Sequence, residues 1–259
     1  MTTTISSFRQ ITANLPAALD RTASEPQVRR ESANYLATIS KVKSIDDLMG
    51  NDRAYRFVLK SYGLDEMAYA KAFIRRILTE GIDRRDSLAN RLADPRYRDL
   101  VTDFNFARYG STTTTFGRTQ QGTVDRYVRQ TLESDVGRSN NGLQLALYFE
   151  RKASSVTTPY ALMADRALLK VTQVALGLAE ATGRLDIDRQ AELIKNRMEI
   201  ADLKDPVKLD RFLTRFTALW DSTNPSATQS TAPNLFSGNA TASFGIDLLE
   251  QVQRVRRKG

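Results

Sequence analysis

The chain has 259 residues, of which 41% are hydrophobic and 26% charged, a balance that suits a globular protein and excludes a disordered or fibrous one. It contains no cysteine and no histidine. Disulfide frameworks, thiolate and imidazole metal sites, cysteine nucleophiles and a Ser-His-Asp relay are thereby excluded. What remains is carboxylate, lysine, tyrosine or serine chemistry, so the expectation is a protein that is not an enzyme and needs no cofactor.

The formal net charge of +8 raises the question of nucleic acid or a membrane surface as partner. The surplus is spread along the chain, and most bases lie within a helical turn of an acid, as on solvated helix faces, so nucleic acid is a distant third reading. One dense basic run exists, Arg254, Arg256, Arg257 and Lys258. No stretch of about 18 apolar residues is present to span a membrane. The Thr/Ser-rich start lacks the apolar core of a secretory signal, so export would use a route that reads no cleaved leader.

Taken in order, Ser24, Glu25 and Pro26 open a helix in which Val28, Tyr35, Leu36, Ile39 and Val42 share one face, predicting an amphipathic helix to about residue 43. Ser44, with Asp47 three residues on, starts a second that runs to Gly63. Further helices are predicted over 69–81, around Leu88 and Leu92, and from Asp94 and Pro95 through Phe104. Residues 110–122, rich in Gly, Thr and Gln, have no helical period and predict a loop or exposed turn. Helices resume over 123–136 and 143–152, then from Thr158 and Pro159 to Gly177, over 187–200 and over 206–220. Period-two alternation is missing, so the expected fold is all-α.

The two halves echo each other. LMGNDRAYRFVLKSYGL at 48–64 aligns without gaps to LMADRALLKVTQVALGL at 162–178, and Leu92, Asp94 and Pro95 correspond to Leu203, Asp205 and Pro206. The expected organisation is an N-terminal segment and amphipathic helix (1–43) and a helical body (44–221). Two related units, about 44–106 and 158–221, are joined in it by helices over 123–157. A linker (222–246), uncharged before Asp247, and a basic amphipathic helix (247–259) carrying Leu248, Leu249, Val252 and Val255 follow.

Five strings together resemble the bacterial DUF1217 family. They are SKVKSIDDLMGNDR (40–53), AYAKAFIRRILTEGI (68–82), ANRLADPRYRDLVTDFNFA (89–107), YVRQTLESDVGRSNNGLQLALYFERKA (127–153) and KDPVKLDRFLTRFTALWD (204–221). The resemblance covers most of 24–221. It implies a helical domain whose relatives are often encoded among flagellar genes, and it brings no catalytic residue with it. The family tends to have an acid after the asparagine of its Asn-rich turn; here Asn140, Asn141 and Gly142 stand there.

Candidate acid-base residues have structural readings that weigh more. Asp94 and Asp205 precede prolines at helix starts, and Asp46 and Asp47 lie in a first turn, so capping is expected of all four. Asp186 and Asp188 have the spacing of part of a calcium loop but lack its glycine and terminal glutamate, so no metal is expected. Arg91, Arg96 and Arg98 around Tyr97 could cradle a phosphate, but pairing with Asp94, Asp99 or a neighbouring helix is favoured. Glu150 and Arg151 are expected as a structural ion pair at the edge of a buried helix.

These readings point to a non-enzymatic structural or assembly protein associated with the flagellum, whose partners are other protein chains, flagellar components or itself. The alternative is a cytoplasmic helical adaptor or regulator of export. Flagellar axial proteins share Ser/Thr/Asn-rich termini and end helices that pair on assembly. The candidate partner-binding residues are Val28, Leu36, Ile39 and Val42 at one end and Leu248, Leu249, Val252 and Val255 at the other. Docking of both stripes on the chain's own body is equally open at this point.

Overall fold

Polar side chains decide where the helices begin. The computed structural model describes residues 3–224, and its secondary structure there is helical throughout, without strands. Thr3 caps α1 (Thr4–Ala13) and Asn14 caps α2 (Leu15–Ser24), each accepting a hydrogen bond from a backbone N–H of the first turn. Then come α3 (Pro26–Ile39), α4 (Ile45–Gly50) and α5 (Asp52–Ser61). Next are α6 (Lys71–Glu80), α7 (Leu88–Arg91), α8 (Pro95–Asp103) and α9 (Phe106–Tyr109). The second half holds α10 (Gln121–Gly137), α11 (Asn141–Ala153), α12 (Pro159–Ala164), α13 (Arg166–Ala175), α14 (Ile187–Lys195) and α15 (Pro206–Thr223).

Four departures from the sequence reading are seen, the first three with clear causes. The helix expected over 44–62 is two, because Asn51 turns its side chain back to the Ala54 N–H and restarts the chain as α5. Asp165 does the same between α12 and α13, accepting from the Ala167 and Leu168 N–H groups at 2.9 and 3.1 Å. Residues 110–119, expected as a loop or exposed turn, form two 3-10 turns whose threonine hydroxyls return to nearby carbonyls. Thr113, Thr114, Thr119 and Thr123 are buried, and Thr114 donates to the Val42 carbonyl at 2.6 Å. Finally, α1 and α2 were not foreseen.

The same order of elements occurs twice. A six-residue helix capped by Ser44 or Thr158 leads to an Asn51 or Asp165 cap, a ten-residue helix, and a glycine with positive φ, 68° at Gly63 and 62° at Gly177. The glycines close matching helix ends: Leu64 N–H reaches Leu59 O and Leu178 N–H reaches Gln173 O, both at 2.8 Å. A 3-10 turn, a helix, another short turn and an Asp-Pro helix start follow in both halves.

Each half has its own apolar core, and the end elements are exchanged between them. The first core gathers side chains from α3 to α8 and takes Val124, Tyr127 and Val128 from α10. The second gathers α11 to α15 and takes Phe8 from α1. Helix α10 thus packs on α2, α3 and α5 with one side and on α11 with the other.

Candidate functional site

Two features stand out: the ionic seam between α10 and α11, and the meeting of the first and last described helices. The seam centres on Glu133, 1% exposed. Arg129, one turn earlier on α10, donates from Nε to Glu133 Oε1 at 2.8 Å, and Arg151 of α11 donates to both carboxylate oxygens at 2.8 Å. Arg129 also donates from Nη2 to Glu150 Oε2 at 2.8 Å and to the Leu147 carbonyl at 3.0 Å. Two acids and two guanidiniums thus close a neutral cluster, buried at Glu133 and Arg129 and half-buried at Arg151 and Glu150, the arrangement that makes burial of charge tolerable. Glu150 and Arg151 both belong to it but do not pair with each other as the sequence suggested; each reaches across to α10.

Burial opposes the charge on Glu133, but the attraction and hydrogen bonds of Arg151 and Arg129 outweigh it and hold its carboxyl below the usual range. Arg151 is shifted upward in turn: burial opposes its charge, and Glu133 overcomes that. A carboxylate held ionised by two guanidiniums is a weak base at neutral pH, so the seam's chemistry is adhesive rather than acid-base. Lys152 and Asp99 form a further ion pair, between α11 and α8.

Close backbone approach accompanies the seam. A Cβ on Gly137 would lie 2.1 Å from Gln144 Oε1, and one on Gly142 would lie 2.3 Å from Trp220 Cδ1. Gly142 thus stands where α15 lays its indole on the start of α11. Two buried tyrosine–aspartate bonds flank the seam: Tyr62 donates to Asp103 and Tyr148 to Asp165, each at 2.6 Å. Burial first, and the facing carboxylate second, push both phenols well above their ordinary value, which keeps them protonated donors.

Where the first and last described helices meet, α1 packs against α11 and α15. The Thr4 N–H donates to Asp221 Oδ2 at 2.9 Å, and its hydroxyl donates to the other carboxylate oxygen. Asn140 donates to Thr4 Oγ1 at 2.8 Å, tying in the turn that precedes α11. Sequence reasoning missed this site because α1 looked like a polar tail; the Thr3 cap and the apolar Ile5, Phe8 and Ile11 were the available signals.

The N-terminal candidate partner stripe divides; its helix, α3, ends at Ile39 rather than near residue 43, so Val42 lies just beyond it. Val28, Ile39 and Val42 are buried in the first core, while Leu36 is 37% exposed. Three of the four are therefore occupied by the chain's own body, because α3 lies against α2, α5 and α10. Leu248, Leu249, Val252 and Val255 lie outside the described residues. The acids behave as caps or ion partners. Asp94 accepts from the Arg96 N–H and pairs with its guanidinium, Asp205 accepts from the Val207 N–H, and Asp186 accepts from the Asp188 N–H, each backbone bond being 2.9 Å. Asp47 accepts from the Lys43 N–H at 2.9 Å, and Asp46 pairs with Arg75. Arg96 is turned inward to Asp94 and the Gly63 carbonyl. Among the described residues no group of three or more acids could hold a metal ion, and no helix is long and apolar enough to cross a membrane.

The chain is similar to a structural-genomics target protein from Agrobacterium tumefaciens solved by X-ray crystallography, at 42% identity and a TM-score of 0.81, covering 86% of this chain and 94% of that one. No curated protein matches it. The model of a family described as a protein of unknown function, DUF1217, matches residues 61–209, which takes in both helices of the seam. This match covers more than half of the sequence, and the chain belongs to the DUF1217 family.

Proposed function

We propose that the protein is a non-enzymatic structural or assembly component associated with the bacterial flagellum, acting through helix-mediated contacts with other protein chains. The observation that carries this reading is the pinning of α1 to α15 through Thr4 and Asp221, which brings the first and last described helices of the body to one pole. The resemblance to the DUF1217 family, whose relatives are often encoded among flagellar genes, supports it. The stripe of Leu248, Leu249, Val252 and Val255 is the apolar surface assigned to a partner.

A second reading, a cytoplasmic adaptor of flagellar export, is favoured by the burial of Val28, Ile39 and Val42, which leaves the N-terminal stripe self-contained. Fractionation of cells with and without a working flagellar export apparatus separates the two. Recovery with the flagellum only when export works supports the first; a wholly cytoplasmic protein in both strains refutes it and leaves the adaptor.

A further inference from the structure

The duplication reaches further than the stretch that the sequence echo covers. The shift of 114 residues that carries Ser44 to Thr158, Asn51 to Asp165 and Gly63 to Gly177 also lays α3 on α11. Tyr35, Ile39 and Val42 then fall on Phe149, Ala153 and Val156, and all six are buried. Helix α3 packs on α2, α5 and α10, and α11 packs on α1, α13 and α15, so α15 is to the second core what α10 is to the first. The buried run Val124, Tyr127, Val128 and Thr131 of α10 recurs at the same spacing on α15 as Leu213, Phe216, Thr217 and Trp220.

Helix α11 also meets α10 of the preceding half, through the seam. Its side of that contact is Gln144, set against Gly137, with Leu147, Glu150 and Arg151. The same shift puts Arg30, Ala33, Leu36 and Ala37 of α3 at these positions, and all four are exposed. On the other side of the seam, Arg129 and Glu133 correspond to Ala218 and Ser222 of α15, which are exposed as well. Each side of the seam is thus present a second time among the described residues, one on α3 and one on α15. The four charges that close the inner seam are missing from these two faces together, their places taken by Leu36, Ala37, Ala218 and Ser222. A charge kept on one face alone would be buried without a counter-ion, whereas loss of all four leaves two small, largely apolar faces that match each other.

We propose that the outer face of α3 is a docking surface for α15 of a second copy of this chain, with Leu36 and Ala37 lying against Ala218 and Ser222 as Glu150 and Arg151 lie against Arg129 and Glu133. The contact joins different faces of the two molecules, so it is head-to-tail and continues into a ring or a filament. It carries the stacking of the two halves from within one chain to between chains, in the manner of repeat proteins that grow through nearest-neighbour faces. This goes beyond the flagellar reading and does not rest on it, since the surface lies in the described body and the partner is the chain itself.

Charge substitution tests the contact without touching either core, because Leu36 and Ala218 are both exposed. Sedimentation velocity of the full-length protein should show association that grows with concentration. Leu36→Glu and Ala218→Arg should each weaken it at least about tenfold, by placing a lone charge in the contact. An equimolar mixture of the two variants should associate again, since the introduced carboxylate of one chain then meets the introduced guanidinium of the other, as Glu150 meets Arg129. Circular dichroism checks that both variants keep their helices. A wild type that sediments as a monomer up to millimolar concentration would overturn the proposal and leave these faces to the chain's own residues 225–259 or to a different protein. Association that survives both variants, that only one of them abolishes, or that the mixture does not restore would overturn it too. None of these failures touches the flagellar assignment, which keeps its own fractionation test.

Discussion

Replacing Glu133 with alanine removes the one carboxylate that both seam arginines share. Arg129 keeps Glu150 and the Leu147 carbonyl, whereas Arg151 keeps only Gln130 Oε1, at 3.5 Å, as a hydrogen-bond partner in the seam. Breaking a buried pair from one side costs about 3 to 5 kcal/mol, and the partial compensation of Arg129 puts the expected loss near the lower end, about 3 kcal/mol. For a folded body of this size, about 3 kcal/mol lowers Tm by roughly 6 to 12 °C. Thermal and urea unfolding followed by far-ultraviolet circular dichroism measure it, and the double variant with Arg151→Ala should recover part of the loss. A drop of less than about 2 °C in Glu133→Ala, with no coupling to Arg151, would refute the view that the seam holds α10 to α11. The same carboxylate sets a pH dependence. Its folded pKa lies below the unfolded one, so its contribution is full above the unfolded value of 4.5 and is lost as pH falls through the folded value. The stability gap between wild type and Glu133→Gln should therefore narrow as the solution is acidified below pH 4.5.

Other expectations follow from packing. Gly142→Ala drives a methyl into the Trp220 ring and should cost about 1 to 3 kcal/mol, and because Trp220 is the sole tryptophan, its emission should shift as the indole is displaced. Ile39→Ala, fully buried, should cost about 2 to 5 kcal/mol in denaturant unfolding, while Leu36→Ser on the same helix should stay within about 0.5 kcal/mol, separating core from surface on α3. Asp221→Ala removes the acceptor of both Thr4 bonds and should raise amide hydrogen exchange across α1 before the rest of the body, with about 1 to 2 kcal/mol lost locally.

The helical class, the Asp-Pro starts of α8 and α15 and the apolar faces of α5 and α13 were legible in the sequence because spacing and caps act locally. What was hidden depended on distant partners. Nothing local announces that Glu133 faces Arg151, since the pairing exists only once α10 and α11 cross. The threonines of 110–119 looked exposed because their burial is secured by hydroxyl bonds to carbonyls, which composition does not reveal. The breaks at Asn51 and Asp165 were readable in principle, as both residues are good caps, but the apolar period continues across them and masked the interruption. Helix α1 was lost because Thr and Ser dilute its apolar face, although Phe8 is buried in the second core.

The exchange of end elements between the two cores bears on the order in which the molecule assembles. Phe8 belongs to a cluster whose other members begin at Leu143, and Thr4 meets Asp221 across 217 positions of chain. Closing so long a loop is entropically late. Helix α1, made before the residues it packs on, must therefore wait for the second half before it finds its seat, and until then that core lacks the Phe8 side chain.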